Sequence, residues 1–284
     1  MGLWKTVCAA SGAVAVGLAG WAIYDNRRPA GKTYTLEHPD LPPAFDGLRI
    51  LHLSDLHATM FGKEQERLLS IVDSLEADIA FITGDLIDRR RTMTRDDMTP
   101  ALLLLEQLAK RLPTVRVDGN HELMSVAGKQ FVALADRTGA HNVTGRGLTL
   151  RRGDDRLVLV GIPDMMCVDE DEDAWRQIVH TVCAPYANDF RIALSHRPQF
   201  LEDYAAEGLP LVFSGHAHGG QVRLPLIGGL YAPEQGILPT YSEGIYTCGD
   251  THMLVSRGLG NSGFPLRFAN RPEVGLVTLK KSAR

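Results

Sequence analysis

The sequence predicts an α/β fold with helices packed on sheets, and two observations carry that reading. Short apolar runs of strand-like composition recur along the chain, at residues 49–54, 79–83, 115–117, 157–161, 191–195 and 211–214. Stretches of helical period lie between them. Residues 64–76 place Leu68, Leu69, Val72 and Leu75 on one helical face, and residues 101–112 are similarly amphipathic. After Gly219 the chain is richer in Gly, Pro and short strand-like pieces, at 252–256 and 274–279, which are expected to extend a second sheet. Residues 29–31 read as a linker dividing an N-terminal segment (1–30) from one compact domain (31–284).

The bulk composition narrows the function classes. Hydrophobic content of 44% with 23% charged residues is ordinary for a globular chain of 284 residues. A net charge of −4 and the lack of a long basic block disfavour nucleic acid as a partner. Cys8, Cys167, Cys183 and Cys248 are scattered without zinc-finger spacing.

The first thirty residues differ in kind. Residues 6–24 carry no charge, close to the ~20 residues needed to cross a bilayer. Lys5 precedes the run, Arg27, Arg28 and Lys32 follow it, and Trp4, Trp21 and Tyr24 sit where interfacial aromatics would. The expectation is membrane association by a single span, with the catalytic domain on the cytoplasmic side. A cleaved signal peptide, giving a secreted or periplasmic form, and a buried soluble helix are the alternatives.

Chemistry concentrates where the strands end. Five runs are followed at once by polar residues: Asp55 and His57; Asp85 and Asp88; Asn120, His121 and Glu122; His196; His216 and His218. Open α/β sheets bind ligands beyond the carboxyl ends of their strands, so a shared sheet end would bring these together. Residues two apart in extended chain point the same way, which would pair Asp55 with His57 and His216 with His218. Gly84, Gly119 and Gly215 stand where tight strand-to-loop turns need a permissive backbone. Carboxylate, imidazole and amide donors together suit Mn, Fe or Zn better than a soft thiolate metal. Singly, a D-x-H or G-D-x-x-D is weak; five such motifs, each at a strand end, are hard to produce by core packing alone.

Over residues 45–280 the chain resembles the calcineurin-like metallophosphoesterases, through the ordered set D-x-H, G-D-x-x-D, G-N-H-E, a single His and G-H-x-H. Within that family it is similar to the membrane-attached bacterial YkuE-like and YaeI-like phosphodiesterases, sharing LSDLH, GHAHGGQ and SRGLG. The resemblance implies a four-layer α/β/β/α sandwich with a dinuclear metal site at the strand C-terminal ends. It implies one ion on Asp55, His57 and His218, a second on Asn120, His196 and His216, and Asp85 bridging both. Mn is the expected metal, with Fe or Zn as alternatives.

The chemistry to expect is a water shared by two ions, its pKa lowered from ~15.7 toward neutrality, attacking phosphorus. His121 is spare in the ligand count and is assigned to protonating or stabilising the leaving oxygen. Asp88 would orient His121, or be a turn residue; Arg89 would touch substrate phosphate, or belong to a solvated loop. The expected substrate is a lipid-linked phosphoester such as UDP-2,3-diacylglucosamine of lipid A synthesis. The alternative is a broader cell-envelope phosphodiesterase acting outside the membrane. No obligate protein partner is evident, and a non-enzymatic metal-stabilised scaffold is disfavoured by the full ligand set.

Overall fold

The computed structural model describes residues 16–92 and 94–283. Two six-stranded sheets stack face to face. The first runs β1 (Ala30–His38), β16 (Glu273–Lys281), β2 (Arg49–Leu53), β3 (Ile79–Thr83), β4 (Thr114–Val117) and β5 (His141–Asn142). The second runs β14 (Gly244–Cys248), β15 (Thr251–Val255), β9 (Leu211–Ser214), β8 (Arg191–Leu194), β7 (Asp155–Gly161) and β6 (Gly147–Arg152). The central strands β2–β3–β4 and β9–β8–β7 are parallel, so each trio points its C-terminal ends the same way.

Strand alternation divides the apolar residues between layers. Ile50, Phe81, Ile192 and Phe213 face inward and join Val277 and Leu279 in the core between the sheets. Their neighbours Leu51, Ala80 and Ile82 turn outward, under α2 (Glu66–Leu75), α3 (Arg95–Ala109) and α5 (Val126–Ala135). On the other side Ala193 and Val212 pack against α6 (Glu172–Cys183) and α7 (Leu201–Ala206) through Trp175, Val179 and Tyr204. Strands buried on both faces read as continuous apolar runs, which is why the sequence displays them plainly. The result is the expected α/β/β/α sandwich. His52 lies inside the intersheet core, bonded to Thr83 Oγ1 at 3.0 Å and edge-on to Phe213. Burial pushes its pKa down to about 3, so it is neutral.

Two expectations need correction. The piece at 274–279 returns to the first sheet as β16, between β1 and β2, and only the piece at 252–256 extends the second. The linker read at 29–31 opens β1, whose alternating half-burial gives no continuous apolar run to see.

The single N-terminal span is also overturned. No helix among the described residues is long and apolar enough to cross a membrane. Residues 6–15 of the expected span lie outside the described residues; the described part of helix α1 covers 16–26. That part touches the domain near its C-terminal end, where Ala22 is buried, Trp21 meets Phe268 edge-on with centroids 5.3 Å apart and Asn26 bonds Arg267, while Val16, Leu18, Ile23 and Tyr24 stay exposed. Glycine and alanine dilute its apolar character, and Asp25 and Asn26 close it with polar side chains.

Candidate metal centre

Five loops leave the parallel strand ends and meet over the gap between the sheets. Asp55 and His57 follow β2, Asp85 follows β3, and Asn120 opens the short helix α4 (Asn120–Leu123) after β4. His196 follows β8, and His216 and His218 follow β9. All seven side chains are buried.

The pairing of Asp55 with His57 does not come from extended backbone. Asp55, His57, Asp85, His216 and His218 all have φ between +46° and +66°, the left-handed region. Such conformations cost a non-glycine residue roughly 1 kcal/mol or more each, and need surrounding bonds to hold them. A ladder supplies those bonds: the amides of Asp55, His57 and Ala58 donate to the carbonyls of Gly84, Asp85 and Leu86 at 2.8–3.0 Å. Gly84, at φ +90°, packs so closely on Gly119 that a Cβ would lie 2.7 Å from its Cα.

The donor atoms form two nests sharing a wall. In one, His57 Nε2 and His218 Nε2 are 3.1 Å apart, with Asp55 Oδ1 3.5 Å from the latter. In the other, His196 Nε2 lies 3.1 Å from each of Asn120 Oδ1, His216 Nδ1 and Asp85 Oδ2. Asp85 Oδ2 also lies 3.8 Å from His57 Nε2, so one carboxylate faces both nests. Burial drives His57 down to about 3 despite Asp85, and drives His216 and His218 well below the usual range. Burial would also lower His196, but the Asp85 carboxylate prevails and lifts it to about 10. Burial and the nearby Asp85 raise Asp55 to about 6, with His196 opposing. Four imidazoles crowded against buried carboxylates, three of them kept neutral by burial, are an arrangement that divalent cations stabilise and protons alone do not. The donor set therefore fits a metal pair, and His196 is already oriented for it: Nδ1 lies 2.7 Å from the Thr83 carbonyl, the donor geometry that leaves Nε2 free.

His121 stands at the edge of both nests. Its Nδ1 accepts the Arg89 amide at 3.1 Å, so the neutral ring carries its proton on Nε2, 3.9 Å from Asp85 Oδ2. Asp88 Oδ1 lies 3.5 Å from Nδ1, within reach when the ring is doubly protonated. Burial opposes that charge, but Asp85 and Asp88 outweigh it and raise the His121 pKa. Asp88 is itself kept ionised, at about 2, because His121 and the Arg90 amide override its burial. Arg89 is partly exposed at the rim and meets His121 through its backbone.

Three supporting groups went unread in the sequence. Glu122 is fully buried and accepts four amides, those of Asp85, Leu86, Ile87 and Gly119, at 2.8–3.2 Å. Burial and Asp85 push its pKa up to about 7 against the pull of those amides. The last residue of G-N-H-E was visible, but a carboxylate two positions after Asn120 reads more readily as a further metal donor than as a clasp. Buried Arg267 donates to the carbonyls of Gly260, Arg257 and His218, while its own backbone is held at both ends by the Asn26 side chain, at 2.7 and 2.9 Å. Buried Arg197 grips Asp164 with two bonds of 2.7 and 3.0 Å and also meets Glu234. No motif spacing signals either arginine.

Comparisons with known proteins agree with this geometry. Residues 48–220 match the calcineurin-like phosphoesterase family. The chain is 28% identical over 252 residues to the uncharacterized metallophosphoesterase YkuE of Bacillus subtilis strain 168, covering 88% of this chain and 85% of YkuE. It is 27% identical over 236 residues to phosphodiesterase YaeI of Escherichia coli K12, covering 81% and 82%. Two sheets with the family's motifs at their strand ends, and buried Asp and His clusters suited to divalent metal, place the chain in the calcineurin-like phosphoesterase family as a hydrolase of phosphoester bonds.

Proposed function

We propose that this protein hydrolyses a phosphodiester or pyrophosphate bond using two divalent ions, with Asp55, His57 and His218 holding one and Asn120, His196 and His216 the other. The observation that carries this reading is Asp85 Oδ2, which lies 3.8 Å from His57 Nε2 and 3.1 Å from His196 Nε2 and so would be within reach of both ions. When bound, the ions, with Mn favoured, supply an acidified water and neutralise phosphoryl charge. The chain's own residues do the rest. His121 presents Nε2–H into the site and is placed to protonate or hydrogen-bond the leaving oxygen. Asp88 Oδ1, 3.5 Å from Nδ1, would accept the Nδ1–H of the doubly protonated ring and so hold the charge that His121 gives up when its Nε2 proton passes to the leaving oxygen. Arg89, at the rim, is the candidate for contact with a substrate phosphate. These groups all belong to residues 31–284, which we take as the catalytic domain.

For the substrate we favour a lipid-linked phosphoester such as UDP-2,3-diacylglucosamine. Supporting it, Leu226, Ile227, Ile237 and Leu238 are exposed on or beside two small hairpins that contact the His218–Gly220 turn. A broader phosphodiesterase of cell-envelope phosphate polymers is the second reading. The test incubates wild type and Asp85→Asn, with Mn, on UDP-2,3-diacylglucosamine and on a nitrophenyl phosphodiester. Loss of wild-type turnover by about a thousandfold or more in Asp85→Asn is expected. Near-normal turnover in that variant would sink the bridging assignment. Cleavage of the nitrophenyl diester alone would discard the lipid reading and keep the metal one.

A further inference from the structure

The nest around His216 has one feature that its proposed ligands do not explain. His216 Nδ1 faces His196 Nε2, so the opposite ring atom, Nε2, points away from the proposed ion. That atom is fully buried and has no hydrogen-bond partner of good geometry among the described residues. An N–H left unmet in such a place costs about 1–3 kcal/mol. What faces it is Glu234 Oε2, 3.4 Å away.

Glu234 comes from outside the five strand-end loops. It sits on the turn of the small hairpin formed by β12 (Tyr231–Ala232) and β13 (Gly236–Ile237), which folds over the His218–Gly220 turn. Its backbone is left-handed, at φ +61°, a conformation that a glutamate adopts only when other contacts hold it. Those contacts are the carboxylate's own. Oε2 accepts Gln199 Nε2 at 2.8 Å and meets the guanidinium of buried Arg197, which Asp164 fixes from the far side. The carboxylate is thus anchored by two donors and aimed at a third.

We infer that Glu234 is a positioning residue for the second ion: it accepts Nε2–H of His216, selecting the tautomer whose Nδ1 lone pair is free for metal. The inference rests on the two-ion reading above. It assigns the hairpin a part in the metal site that the strand-end motifs do not contain, and it makes Gln199, Arg197 and Asp164 a chain of support running back to the end of β7. An imidazole without such an acceptor divides its proton between both nitrogens, and one of those forms cannot bind the ion.

The experiment titrates metal-free full-length protein with Mn by calorimetry, comparing wild type, Glu234→Ala, Glu234→Gln and His216→Ala. Wild type should bind two ions. Glu234→Ala should bind one as wild type does and the other about 10–100-fold more weakly. Glu234→Gln keeps an acceptor oxygen and should recover most of that loss, while His216→Ala should lose the second ion altogether. Unchanged affinities in Glu234→Ala would overturn the inference, as would an equal weakening of both ions, which marks a merely structural role. Should wild type itself bind fewer than two ions, the two-ion reading fails, and the inference with it.

Discussion

The two halves of the proposed metal centre offer similar donors and are secured by different means. On the first sheet the fastening falls on backbone amides of neighbouring loops: Glu122 gathers four of them from two loops, the Asp55, His57 and Ala58 amides ladder onto the 84–86 carbonyls, and Asp85 Oδ1 accepts the His121 amide at 2.9 Å. On the second sheet it is side chain. Arg267 braces the His218 carbonyl, Glu234 and Arg197 back His216, and Arg223 holds the Gly219 carbonyl while pairing with Glu243, both at 2.8 Å. The difference follows from topology. Loops after β2, β3 and β4 are adjacent and short enough to bond one another, whereas β9 leads into a long excursion through hairpins that only long side chains can tie back. A backbone-laced half is rigid at the cost of tolerating almost no change, and a side-chain-braced half can be tuned one residue at a time.

Substitutions can break or sharpen that contrast. The largest effect is expected from His121→Ala, which should keep both ions yet lower kcat about 100–10,000-fold, most for poor leaving groups. Metal analysis alongside steady-state kinetics on a leaving-group series checks it, and loss of an ion would make His121 a ligand instead. Next comes Glu122→Ala, which strands four amides and should destabilise metal-free protein by roughly 3–5 kcal/mol in urea. A loss below ~1 kcal/mol would show that the first half does not depend on its clasp.

Asn26→Ala tests the other half through its longest lever. Removing the side chain that holds both ends of the Arg267 peptide should cost about 1–2 kcal/mol in urea and weaken the ion on His218 more than the ion on His216. Equal stability and equal metal binding would mean that α1 lies on the catalytic fold without supporting it.

The smallest effect concerns acid. Burial alone would raise Glu243, but bonds from Arg257 and Lys32 override it and hold its pKa at about 2. A carboxyl depressed on folding adds stability that is complete above its unfolded pKa, near 4.5, and is lost as pH falls toward about 2. Because solvent screens this partly exposed group, metal-free wild type should lose only about 0.5–1 kcal/mol more than Glu243→Gln between those limits. Parallel acid profiles for the two proteins would remove Glu243 from the bracing of the second half.

Much of this was legible in one dimension. The doubly buried strands at 49–53, 79–83 and 211–214 announce themselves as apolar runs, and the ligand candidates follow them directly because a parallel sheet delivers its strand ends to one edge. The amphipathic helices and the order of the five motifs were equally plain. What the sequence hid shares a different cause. β1 is an edge strand without a continuous apolar signal, and the left-handed backbone at Asp55, His57, Asp85, His216 and His218 is not marked by glycine, the type that signals it most plainly. The join of Asn26 to Arg267 spans 241 positions and that of Arg197 to Glu234 spans 37, and neither side chain carries a local mark of its partner. By itself, then, the sequence determined which donor residues stand at the strand ends and in what order, since strand ends and donor types are local properties. The tertiary structure alone decided which atoms face each other, which tautomers they favour and what holds them there, because those depend on contacts between segments that only folding brings together.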